Sequence, residues 1–301
     1  MSNVAFLFPG QGAQYLGMGK NLVESHPTAK RLYDHANEIL GFDLLDICLN
    51  GPEERLHATD ISQPAIFVAS IAALEVLKES EPDLLPQVTA TAGLSLGEYT
   101  ALVFAGALQF ADALRVVQER GRAMQAAANA TPSGMVSALI IDLPNLQEVV
   151  QEASSAGRIW IANYLCPGNT VLSGEHAALD AACELITARG GSPKKLSVAG
   201  AFHTELMKPA DDQLAQALLN VTISAPTVPV WSNVDARTHS DPNEIRDLLV
   251  RQVLQPVQWE QSMRAMLDAG VERCVEIGPG KVLAGLLKRI NRKIECRSCP
   301  A

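Results

Sequence analysis

Short apolar runs, each followed by a longer amphipathic stretch, constrain this chain more than any other feature. Residues 4–8, 88–92, 228–232 and 273–277 read as strands, with helical patterns at 63–78, 110–128, 243–254 and 259–269. Strands alternating with helices predict a parallel α/β sheet, and the β-branched make-up of the runs fits strands covered on both faces. With 301 residues, 48% of them hydrophobic, the chain is long enough to bury a large core.

Residues 131–197 follow a different order: strand 135–141, helix 144–155, strand 158–163, strand 170–173, helix 175–189, strand 193–198. That βαββαβ order predicts a ferredoxin-like small domain inserted into a larger one. Thr131-Pro132-Ser133-Gly134 and Val198-Ala199-Gly200 punctuate its ends as hinges. The expected division is therefore 1–130 plus 198–301 for the core and 131–197 for the insert, with a ligand cleft between them.

Charge and cysteine usage narrow the function classes. Twenty-four Lys and Arg against thirty-three Asp and Glu give a net charge of −9 with no block of cations, so no nucleic-acid partner is expected. The run 66–77 is broken by Glu75 and falls short of the roughly 18 residues that span a bilayer, and no export signal is seen. A soluble, cytoplasmic protein without a membrane partner is expected, acting as a monomer, with its six cysteines reduced. Cys296 and Cys299 read C-x-x-C but stand without a second pair, so tail or buried-edge cysteines are expected and no metal.

Gly93-Leu94-Ser95-Leu96-Gly97 matches G-x-S-x-G, a pattern that chance puts in roughly one chain of this size in ten. Its setting makes it more telling, because a strand precedes it and a helix pattern from Glu98 follows, as a nucleophile elbow requires. The glycines permit a tight turn, Ser95 projects from it, and the Leu96 N–H would point toward an oxyanion. A serine needs a base. His203 is the best placed of six histidines, following a strand pattern and Gly200-Ala201-Phe202, with a helix expected from Thr204. His26, His35, His57, His176 and His239 read as solvated surface residues. The Gly-rich segments at Gly10 and Gly278 lack the spacing of dinucleotide or phosphate loops.

Taken together, several blocks resemble the malonyl-CoA:acyl-carrier-protein transacylases and the related acyltransferase domains of polyketide synthases. They are Phe8-Pro9-Gly10-Gln11-Gly12, Gly93 through Tyr99, Glu119 through Gln125, Asn163 ahead of Pro167-Gly168, Gly200-Ala201-Phe202-His203, Gln255 through Trp259, and Glu276 through Leu283. The resemblance covers essentially the whole chain and implies a hydrolase-like α/β core. It implies a Ser95–His203 dyad with the histidine oriented by the backbone carbonyl of Gln252, and an oxyanion hole from the N–H groups of Gln11 and Leu96. It makes Arg120 the binder of the malonyl carboxylate, through a planar fork suited to bidentate pairing. Phe202 matches the position that is bulky in malonyl-selective members, while Met124, Asn163 and Gln63 match residues lining or supporting the pocket. Two departures stand out: Leu94 where many members have His, and Asn169 where Gln is common.

The activity so implied is transfer of malonyl from malonyl-CoA to the phosphopantetheine thiol of a separate acyl carrier protein by a ping-pong route through acyl-serine, with no metal or redox cofactor. Lys194 and Lys195, or Lys288, Arg289, Arg292 and Lys293, are candidate docking cations for an acidic carrier. A serine hydrolase and a noncatalytic synthase subunit are the alternatives; Arg120 disfavours the first, and the Ser95–His203 pair the second.

Overall fold

A computed structural model describes residues 3–301; Met1 and Ser2, the first two residues of the expected core segment, lie outside it. Among the described residues nine strands form two sheets: β1 (Val4–Phe8), β2 (Val88–Gly93), β3 (Ser133–Leu139), β4 (Ile159–Cys166), β5 (Asn169–Glu175), β6 (Ser192–Lys195), β7 (Val230–Trp231), β8 (Arg273–Ile277) and β9 (Glu295–Cys299). The larger sheet has the order β7-β2-β1-β8-β9, and its pairings are all parallel. Every residue of β1 is buried, as a central strand covered by helices on both faces must be.

The expected strand 228–232 narrows to two residues because Pro229 offers no N–H to a ladder and β7 lies at the sheet edge. The fifth strand, β9, was not expected. Its sequence, Glu-Cys-Arg-Ser-Cys, sets two cysteines among three polar residues and carries none of the apolar density of β1. Cys296 packs on one side of the sheet and Cys299 on the other, so strand geometry turns the C-x-x-C thiols apart.

Helix Thr59–Ser80 starts one turn before the expected 63, with Pro64 inside it. Its first N–H is satisfied by the Gln125 side chain at 2.9 Å, and burial of nearly all its side chains outweighs the one backbone bond that Pro64 cannot make. By length and composition this helix could cross a membrane; here it is enclosed by the protein core, packed chiefly on helix Phe110–Ala130.

The smaller sheet has the antiparallel order β4-β5-β3-β6, the ferredoxin-like arrangement. Period-2 alternation divides its faces. Val136, Ala138 and Leu172 pack under helices Leu143–Ala153 and His176–Ala188, while Met135 and Val171 turn toward the larger sheet. Beyond the edge strand β4, Val257 continues the pairing: its N–H donates to Ala162 O at 2.8 Å and its carbonyl accepts from Tyr164 N at 2.9 Å. The segment that follows helix Pro242–Gln252 thus lies along the edge of the smaller sheet.

One histidine departs from its expected surface role. His239 is only 12% exposed in its side chain and lies between Asp235 and Glu244, each 3.0 Å from a ring nitrogen.

Candidate active site

β2 ends at Gly93, the chain turns through Leu94, Ser95 and Leu96, and a helix begins at Gly97 and runs to Phe104. Both glycines of the turn are forced by close approach. A Cβ on Gly97 would lie 2.1 Å from the carbonyl oxygen of Phe8 at the end of β1, and one on Gly93 would lie 1.8 Å from the Gly97 backbone. Ser95 is consequently held at φ 51°, a left-handed conformation uncommon outside glycine.

His203 also stands at positive φ, 61°. The helix expected from Thr204 is a single 3-10 turn, Glu205–Met207, which Thr204 caps; the longer helix starts at Ala210. His203 Nε2 lies 2.9 Å from Ser95 Oγ, and Nδ1 lies 2.8 Å from the carbonyl oxygen of Gln252. A carbonyl only accepts, so Nδ1 carries the proton and Nε2 presents its lone pair to the serine. Burial pushes the imidazole down to about 4, with the Arg120 charge adding to the effect, so the ring is neutral near pH 7.

Arg120 reaches the same hydroxyl from helix Phe110–Ala130. Its side chain is buried, and one terminal nitrogen donates to Ser95 Oγ and to Gln252 Oε1, both at 3.0 Å. The other donates to Gln63 Oε1 at 2.6 Å, and the guanidinium lies 5.5 Å from the Tyr99 ring centroid. Its Nε has no partner among the described residues. Burial lowers its pKa, opposed by Tyr99 and Glu98.

Among the described residues, the backbone N–H groups of Gln11 and Leu96 have no hydrogen-bond partner. Gly10 allows the Gln11 loop to approach, since a Cβ there would lie 2.3 Å from Leu94 O. A cleft of about 120 Å³ opens at Ser95 and His203, walled by Gln11, Phe202, Met124 and Asn163. Gln63 lies behind this wall, where its amide also donates to the Met124 sulfur at 3.4 Å. Asn169 is spent elsewhere, accepting from Ser137 Oγ at 2.6 Å.

The sequence expectations omitted two contributors. The cleft's apolar wall from the smaller sheet includes Met135, Leu165, Val171 and Leu196. Asn233 accepts from the Ser95 N–H at 2.6 Å and donates to Gly93 O at 2.8 Å, so it braces the turn from below. Its position just past β7 was the available signal, because sites of parallel sheets gather beyond the carboxyl ends of strands.

Residues 5–299 match the acyl transferase domain family. The chain is 43% identical to the malonyl CoA-acyl carrier protein transacylase of Bacillus subtilis, over 98% of this chain and 92% of that protein. The chain belongs to the malonyl-CoA:acyl-carrier-protein transacylase family. Its relatives in that family include the mitochondrial human protein, 42% identical over 95% of this chain and 76% of the relative. The solved malonyl CoA-acyl carrier protein transacylase of Coxiella burnetii superposes with a TM-score of 0.95 at 35% identity, covering 99% of this chain and 94% of that one. A malonyl-transacylase solved in complex with its type II PKS acyl-carrier protein gives 0.94 at 36% identity, covering 99% and 96%.

Proposed function

We propose that this chain transfers the malonyl group of malonyl-CoA to the phosphopantetheine thiol of a separate acyl carrier protein, through a malonyl ester on Ser95. The observation that carries this is the 3.0 Å contact between the Arg120 guanidinium and Ser95 Oγ. A buried cation beside the nucleophile selects an acyl donor with its own carboxylate, which can take over donors now shared with the hydroxyl and Gln252. A simple hydrolase of neutral esters has no use for it.

In the first half-reaction Ser95 Oγ attacks the thioester carbonyl as His203 Nε2 takes the hydroxyl proton. The carbonyl oxygen becomes an oxyanion facing the free N–H groups of Gln11 and Leu96. The C–S bond then breaks, and His203 returns its proton to the departing CoA sulfur. In the second half-reaction His203 takes the proton of the carrier's thiol, the thiolate attacks the ester, and the proton passes to Ser95 Oγ as that bond breaks. Serine, histidine and the two thiols balance the cycle, so it calls for no metal or redox group. Phe202 at the cleft wall would crowd a branched α-carbon.

Exposed Lys288, Arg292 and Lys293 offer cations to an acidic carrier, whereas Lys195 is engaged by Asp180 at 2.6 Å and Arg289 donates to the carbonyls of Pro167 and Gly168, both at 3.0 Å. Six free cysteines fit a reducing compartment, which in this proposal is the cytoplasm. Labelled malonyl-CoA, incubated with and without holo carrier protein, tests the reading. Label on the carrier is expected; rapid release of free malonate without carrier would assign a hydrolase instead.

A further inference from the structure

Glu98 is a buried ionisable group that this chemistry leaves unused, and it lies against the site itself. One of its carboxylate oxygens accepts from the Asn233 backbone N–H at 3.1 Å and from Gln252 Nε2 at 2.6 Å. These two partners hold the two halves of the dyad. Asn233 braces the strained Ser95 turn through its side chain, and the Gln252 carbonyl fixes His203. The Gln252 amide also donates to Ser95 O at 3.1 Å and accepts from Arg120, which places one carboxylate at the junction of nucleophile, base and guanidinium.

We propose that Glu98 is a positioning residue: as a carboxylate it locks the Ser95 turn and the Gln252 carbonyl into one frame, and protonation loosens both. Hydrogen bonds to an ionised acceptor are roughly twice as strong as those to a neutral one, so the same contacts weaken when Glu98 gains a proton. Several groups face it. Arg120 acts through the Gln252 amide, Tyr99 adjoins both, Asp235 repels from the segment after β7, and His239 shares a small cavity with Glu98. Burial outweighs the donors and raises the carboxyl to about 7, while His203 is held down at about 4. Of the two, Glu98 therefore titrates in the range where the enzyme would work, and the acidic limb of Ser95 acylation belongs to it.

The inference rests on the acyl-transfer reading, and rapid-quench measurement of malonyl-enzyme formation from pH 5 to 9 separates the two. Wild-type protein should lose about tenfold in acylation rate from pH 8 to pH 6. Glu98→Gln should be slower at pH 8 by ~10-fold and flat down to pH 5, because Gln cannot titrate. A purely structural Glu98 would lower thermal stability in the variant but leave the limb in place, and that result overturns the inference. Gln252→Met gives an independent check: it keeps the backbone carbonyl for His203 but removes a donor from Glu98, so the limb should move to higher pH. A limb that does not move also overturns it. Wild-type protein that gains no malonyl mass at any pH overturns both readings, whereas malonylation with no limb near pH 7 overturns this one alone.

Discussion

Arg120 and Ser95 share a 3.0 Å hydrogen bond across 25 residues of sequence, joining the middle of a long core helix to the turn after β2. The guanidinium is buried and its fork is divided among Ser95, Gln63 and Gln252, so its position is fixed before any substrate arrives.

Arg120→Ala should therefore erode the preference for malonyl over acetyl donors by about tenfold or more, given ~1.5–3 kcal/mol for a charge-assisted pair. The ratio of kcat/KM for the two donors measures this. An unchanged ratio would remove Arg120 from carboxylate recognition.

Phe202 is buried at the cleft wall directly before His203. Phe202→Ser should raise the rate with methylmalonyl-CoA relative to malonyl-CoA, because the ring no longer occupies the space of an α-methyl branch. Competition between the two donors, read by mass of the acyl-enzyme, decides it; a constant ratio assigns selectivity elsewhere.

His203 carries a consequence for acid stability. Its folded pKa is depressed to about 4 against 6.5 for the ordinary imidazole, so between those values the unfolded chain binds more protons. The stability associated with the neutral ring is present above pH 6.5 and lost as pH falls through 4. Glu98 acts in the opposite sense: its raised carboxyl makes stability fall as pH rises from 4.5 to about 7. Urea midpoints at pH 7 and pH 4.5 should show a smaller acid loss for His203→Asn than for wild type. Equal losses would contradict a buried neutral His203.

Gly97→Ala should destabilise the fold by about 1–3 kcal/mol, because the added methyl meets the Phe8 carbonyl at the end of β1. The urea midpoint is the measure, and an unchanged midpoint would deny the close approach.

The turn that carries Ser95 was legible because it demands glycines at fixed offsets between a strand and a helix, a requirement that local sequence alone carries. The βαββαβ order of the smaller sheet was legible for a similar reason, since each period belongs to one contiguous segment. β9 was not, because an edge strand with three polar residues among its five has no apolar density to mark it. Asn233 and the junction role of Glu98 were hidden for a different reason: their significance comes from hydrogen bonds spanning 138 and 154 residues, accepted from the Ser95 N–H and from the Gln252 amide respectively. The helix starting at Thr59 shows burial overriding a local signal, as Pro64 would by itself have set a later start.

Intact-mass analysis with peptide mapping after brief exposure to malonyl-CoA tests the central claim most directly. One malonyl group on Ser95, absent in Ser95→Ala and discharged on addition of holo carrier protein, is the result expected. Malonyl-carrier formed at an undiminished rate by Ser95→Ala would contradict the account.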